Sequence, residues 1–166
     1  MAGGARASPR PSLSRAIRAR RAEIGNGEVL EHAVILVEDG KIVTVGEDLP
    51  IERGIPVIDL DDEYTLMPGL VNLHGHAAMS LLRGYADDLP LMPWLEQHSW
   101  PAEEKHVSYS FVRDGTELAI AEMLRSGTTT FSDMYFFPDA CAEAAISAGI
   151  RCQIVFPILD FPTAWA

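Results

Sequence analysis

The sequence predicts an α/β protein in which a β-rich N-terminal segment precedes the opening units of a parallel sheet with helical crossovers. Three observations carry this. HAVILVEDGKIVTVG, residues 32–46, reads as two β-branched runs around an Asp-Gly turn. From Leu70 onward the pattern becomes strand, loop, helix, strand, helix, strand. Finally, no GxGxxG or GxxxxGK follows any of these strands, which turns the reading away from nucleotide-binding sheets. Such alternation fits either an open doubly wound sheet or the beginning of a (β/α)8 barrel.

The first twenty-two residues differ from the rest. They carry six arginines (Arg6, Arg10, Arg15, Arg18, Arg20 and Arg21) and no acid. That bias resembles a transit peptide on the surface, but the composition is expected to be a disordered start over residues 1–22. Residues 23–66 are expected to form part of a small β-domain. Within it the hairpin turns at Asp39-Gly40, a third strand covers residues 55–60, and the polar run 59–69 ends in a Pro-Gly turn.

Residues 67–166 hold the β/α units. Residues 70–74 are apolar enough for a strand buried on both faces. Residues 77–105, with three prolines and two tryptophans, are expected to be irregular. A helix over 111–126 follows from the amphipathic spacing of Phe111, Val112, Leu118, Ala119 and Met123, with Gly127 as its cap. TTTFSDM, residues 128–134, is the next strand. Pro138 opens a second helix that Gly149 closes, and residues 151–158 form a third strand.

In PGLVNLHGHAAMS, His74 and His76 stand one residue apart at the end of the first of these strands. Side chains two apart on a strand share a side, so both imidazoles can converge on one ion. At the C-terminal end of a barrel strand they would occupy the rim where barrel enzymes build their sites. His32, His98 and His106 lack such a partner and are given no role. Cys141 and Cys152 have no metal-type spacing and read as reduced, buried, small apolar residues of a cytoplasmic protein.

Charge narrows the partner class. Removing the six N-terminal arginines from the net charge of −11 leaves about −17 on the remainder, where only two lysines and five arginines stand. Phosphate binding needs clustered cations, so a nucleic-acid groove is not expected. No run reaches the ~18 apolar residues of a membrane span. A small-molecule partner fits best.

With PGLVNLHGHAAMSLLRGYADDLPLMPWL, then WPAEE and SGTTTFSDMYF in order, the chain resembles the amidohydrolase superfamily. Within it the likeness is to 5-methylthioadenosine/S-adenosylhomocysteine deaminases and their triazine-chlorohydrolase relatives, over about residues 28–160. The resemblance implies a (β/α)8 metal-dependent hydrolase barrel, of which residues 67–166 would be the first units, incomplete, after a small β-domain segment. It implies hydrolytic deamination of an adenine-type base in a purine nucleoside, with ammonia released. His74 and His76 would bind a divalent metal, most commonly Zn2+, which lowers the pKa of a bound water toward ~7. Glu103 would bind the ribose hydroxyls, as a carboxylate can accept from two neighbours; its alternative is an acid at the start of the following helix. Trp94 would wall the base or the thioether side, or else anchor its loop. Asp87 and Asp88 read as loop residues, and Asp133 as a structural hydrogen-bond acceptor. The arginine that some deaminases of this group place shortly after the position of Arg151 is not found in CQIVFPI.

A whole barrel needs ~250 residues, so the expectation is an N-terminal fragment that holds no complete catalytic set and is inactive alone. The full-length form is open to homo-oligomerisation. Two other functions compete: hydrolysis of a triazine or other aminated heterocycle on the same fold, and a non-catalytic β-α module that associates through an exposed strand edge.

Overall fold

The computed structural model describes residues 14–160 and 162–165. The chain divides into two compact units, Met1–Pro68 and Gly69–Ala166, two residues beyond the expected boundary.

In the first unit, strands β1 (Arg15–Glu23), β2 (Val29–Glu38), β3 (Lys41–Glu47) and β4 (Val57–Asp59) lie in the order β3-β2-β1-β4, and β5 (Thr65–Leu66) also pairs with β1. β1 runs antiparallel to β2 and parallel to β4 and β5. The β2-β3 hairpin turns where the sequence places it, because Asp39 (φ 48°) and Gly40 (φ 77°) take the left-handed conformations that a two-residue turn demands. β4 covers only the middle of the expected strand; Pro56 just before it has no N–H to give, and its carbonyl accepts from Ala16.

The disorder expected over residues 1–22 is corrected for Arg15–Ala22, which lie in β1; residues 1–13 fall outside the described residues. Ala16, Ala19 and Ala22 are buried, so small residues between the arginines let the strand sit inside the sheet. The exposed arginines meet acids on adjoining segments: Arg18 with Asp59 at 3.2 Å, Arg20 with Asp62 at 3.9 Å and Arg21 with Glu31 at 3.8 Å. Counted along the chain these cations look uncompensated, whereas across the sheet they are paired.

In the second unit, β6 (Leu70–Asn72), β7 (Thr128–Met134) and β8 (Arg151–Val155) form a parallel sheet in that order. Helix α3 (Tyr109–Arg125) joins β6 to β7, and α4 (Pro138–Ala148) joins β7 to β8. Ser108 caps α3 by accepting from Phe111 N–H at 3.2 Å, and Gly149 (φ 72°) ends α4. The core joins Phe131 of β7 to Val112, Ala119 and Ile120 of α3 and Ala140, Cys141, Ala144 and Ala145 of α4. Both cysteines are free, Cys141 buried and Cys152 half-buried.

Two expectations fail here. Residues 77–105 are largely helical: a 3-10 helix at Ala77–Leu82, then α1 (Leu91–Trp94), a π-turn (Leu95–Ser99) and α2 (Trp100–His106) without a break. Proline normally stops a helix, yet Pro101 is carried because the backbone widens before it, with Trp100 N–H bonding Leu95 O five residues back. Second, β6 is not buried on both faces, since Leu70 and Val71 are 50% and 56% exposed. β6 stands at an edge, with no strand on its far side among the described residues.

Candidate active site

The site is assembled where β7 ends. Its last residues hold the segment 75–77 by three hydrogen bonds. Met134 N–H donates to Gly75 O at 3.1 Å. Ala77 N–H donates to Asp133 Oδ1 at 2.6 Å, and His76 Nδ1 lies 2.6 Å from Met134 O. A carbonyl oxygen only accepts, so Nδ1 carries the ring proton and Nε2 keeps its lone pair for a ligand. Asp133 is thus a structural acceptor. It is 1% exposed, and burial raises its carboxyl above the usual range, against the pull of the Ala77 N–H, the Cys141 thiol and His76. Cys141 is pushed up to about 12 by burial and then by Asp133, which leaves it a neutral thiol at ordinary pH.

His74 and His76 do converge. β6 has already ended at Asn72, and a bend brings the rings together, with centroids 5.1 Å apart at 81°. His74 is exposed and His76 half-buried. The pair fits two positions of a metal centre: adjacent imidazoles, one with its ring orientation and tautomer fixed by a backbone carbonyl. Among the described residues, no group of three His, Cys, Asp or Glu side chains is arranged to hold an ion. The structure therefore offers a pair of donors, short of the three protein ligands of a catalytic zinc site.

Glu103 lies in the first turn of α2 and is buried at 9% exposure. Its neighbour is Tyr135, directly after β7, whose hydroxyl donates to Glu103 Oε1 at 2.8 Å. Burial raises the Glu103 carboxyl, while the Tyr135 hydroxyl and His76 act in the opposite direction. Burial and the adjacent Glu103 carboxylate hold the Tyr135 phenol far above its usual value, so it remains a donor. The ring of Tyr135 stands 6.1 Å from that of His76. The structure so links His74, His76, Tyr135 and Glu103 in one chain of neighbours. Trp94 stands apart, lining a concavity with Met79, Tyr85 and Leu89, while Asp87 and Asp88 are exposed loop residues on the same concavity. Glu104, one residue on from Glu103, is exposed.

The sequence reading gave Tyr135 no role. A signal was present: Asp133 and Tyr135 are two apart at a strand end and so tend to the same side, toward the histidines.

The amidohydrolase family matches residues 65–164. The chain belongs to this family. It is 57% identical over 142 residues to a 5-methylthioadenosine/S-adenosylhomocysteine deaminase of Saccharophagus degradans, covering 84% of this chain and 32% of that protein. A 5′-deoxyadenosine deaminase of Methanosarcina barkeri is 47% identical over 131 residues, 79% of this chain and 30% of the relative. Among solved structures, an adenosine deaminase from Xanthomonas campestris with bound zinc superimposes with a TM-score of 0.79 at 42% identity, over 91% of this chain and 35% of the other. An atrazine chlorohydrolase from Arthrobacter aurescens complexed with zinc gives 0.76 at 28% identity, over 85% and 35%. The chain thus spans about a third of the length of these amidohydrolases. None of its described helices is long and apolar enough to cross a membrane.

Proposed function

We propose that this chain provides the first two metal ligands and part of the substrate pocket of a hydrolytic deaminase for adenosine-type nucleosides, with 5-methylthioadenosine and S-adenosylhomocysteine as the leading substrates. The observation that carries it is the paired imidazoles of His74 and His76, with Nδ1 of His76 engaged at Met134 O and Nε2 left to coordinate. Similarity to nucleoside deaminases, and to neighbours solved with zinc, supports the choice of substrate class and of Zn2+. A divalent metal supplies Lewis acidity, which makes water a competent nucleophile near neutral pH.

The chain's own residues do the positioning. Met134 O and the Asp133 carboxylate fix the backbone and ring that present Nε2 of His76. Glu103 offers a buried carboxylate to the hydroxyls of a ribose, while Trp94 lines a separate concavity and so fits its alternative role as a loop anchor. Two imidazoles are one protein ligand short of a stable catalytic site, so the chain by itself is inactive and the remaining ligands come from further polypeptide.

The test is ammonia release from 5-methylthioadenosine by the purified chain with zinc supplied, beside a complete deaminase as control. No release by the chain is expected; steady turnover would contradict the division of labour. A second reading, hydrolysis of a triazine or another aminated heterocycle, draws on the likeness to the atrazine chlorohydrolase. Comparable turnover of unrelated heterocycles by the complete enzyme would favour it over the nucleoside reading.

A further inference from the structure

We propose that Tyr135 is a positioning residue that fixes Glu103 for a sugar bearing adjacent hydroxyls; this rests on the reading of Glu103 as the acceptor for substrate hydroxyls. Tyr135 follows the two residues that pin the histidine segment, Asp133 and Met134, so its backbone starts from the same fixed point. Tyr135 is 5% exposed, and its ring neighbours those of His76 at 6.1 Å and Phe136 at 5.0 Å. The hydroxyl donates to Glu103 Oε1 at 2.8 Å.

A phenol has a single proton to give, and an ionised carboxylate only accepts. The bond consequently engages one lone pair on Oε1 and restrains that oxygen. The lone pairs on Oε2 remain to accept from a ligand, and among the described residues Tyr135 is the hydrogen-bond donor to this group. Glu103 also lines a groove of about 430 Å³ with Trp100, Phe136 and Pro162, whose apolar surfaces suit the edge of a sugar ring. Without the phenol the buried carboxylate would lose this donor and the restraint on Oε1. Tyr135 thus connects the metal-ligand segment to the sugar contact through one strand end, without itself touching the reacting atoms.

The experiment uses the complete enzyme that carries this segment, as wild type, Tyr135→Phe, Glu103→Gln and the double variant, assayed on adenosine and on 2′,3′-dideoxyadenosine. Loss of a charge-assisted hydrogen bond costs about tenfold or more. Tyr135→Phe is expected to raise KM for adenosine about tenfold with kcat little changed, to leave the dideoxy analogue nearly unaffected, and to add little on top of Glu103→Gln. Equal losses on both substrates would mark Tyr135 as merely structural and overturn the proposal. If wild type and Glu103→Gln discriminate equally between the two substrates, the reading of Glu103 itself falls, and this proposal with it. In the chain alone, the Glu103 carboxyl 13C resonance is expected to shift on Tyr135→Phe with metal content unchanged; an unmoved resonance would also overturn it.

Discussion

Both units carry surface ion pairs, Arg83–Glu122 and Arg113–Glu117 among them in the second, but the second also buries acids. In the β-unit, cations and acids meet on the surface: Arg18 and Asp59 form an ion pair while remaining more than half exposed. In the β/α unit the polar groups that matter are inside, where Asp133, Glu103 and Tyr135 are buried and each has a hydrogen-bond partner. A surface pair in high dielectric contributes little and is screened by salt. A buried carboxylate costs free energy unless it is satisfied, so its retention beside two histidines points to positioning work. The lesson is that arginine density marked a set of surface pairs, while the acids of the site, Asp133 and Glu103, are told from their neighbours by burial.

The largest expected effect comes from the core of the second unit. Phe131 is 1% exposed, and Phe131→Ala should cost ~3–5 kcal/mol in denaturant unfolding; a loss below ~1 kcal/mol would mean that β7 is not the spine of that unit. Next is Asp133→Ala, which strips the Ala77 N–H of its acceptor. A destabilisation of ~1–3 kcal/mol is expected, with weaker zinc binding at the histidines; unchanged affinity would separate Asp133 from the site.

A pH experiment then distinguishes buried from surface acids. Burial raises the Glu103 carboxyl above its ordinary value, so the folded state holds that proton more tightly than the unfolded chain does. Its stabilising contribution is complete below the ordinary glutamate range and is lost as pH rises through the raised value. Glu103→Gln should flatten this fall as pH rises above the ordinary glutamate range, as read from unfolding midpoints. Identical pH profiles for variant and wild type would contradict the assignment. Smallest is Arg18→Ala, expected to cost at most ~1 kcal/mol and less at high salt; a larger, salt-independent loss would erase the contrast between the units.

What could be read along the chain depended on whether the cause was local. The Asp39-Gly40 hairpin, the TTTFSDM strand and the Gly149 cap were legible because each is set by conformations of adjacent residues. β1 was not, because the partners of its arginines stand elsewhere in the chain, Glu31 on β2, Asp59 on β4 and Asp62 in the turn after β4. The helical run through Pro101 was hidden because a π-turn accommodates a residue that ordinarily breaks helices. Strand β6 looked buried because its composition is apolar, while burial depends on neighbours that composition does not report. In the site, His74 and His76 do come together as expected, but through a bend after β6 ends at Asn72 and not through the strand alternation that the expectation used. The Tyr135 bond to Glu103 joins residues thirty-two apart, a contact that only the tertiary structure reveals.

The measurement closest to the central claim is a zinc titration of this chain followed by 15N NMR of the imidazoles. The expected result is a progressive shift of Nε2 in His76, with a ring nitrogen of His74 moving in step, while Nδ1 of His76 keeps its proton on Met134 O. Zinc-dependent shifts at His32, His98 or His106 in place of these two would contradict the account.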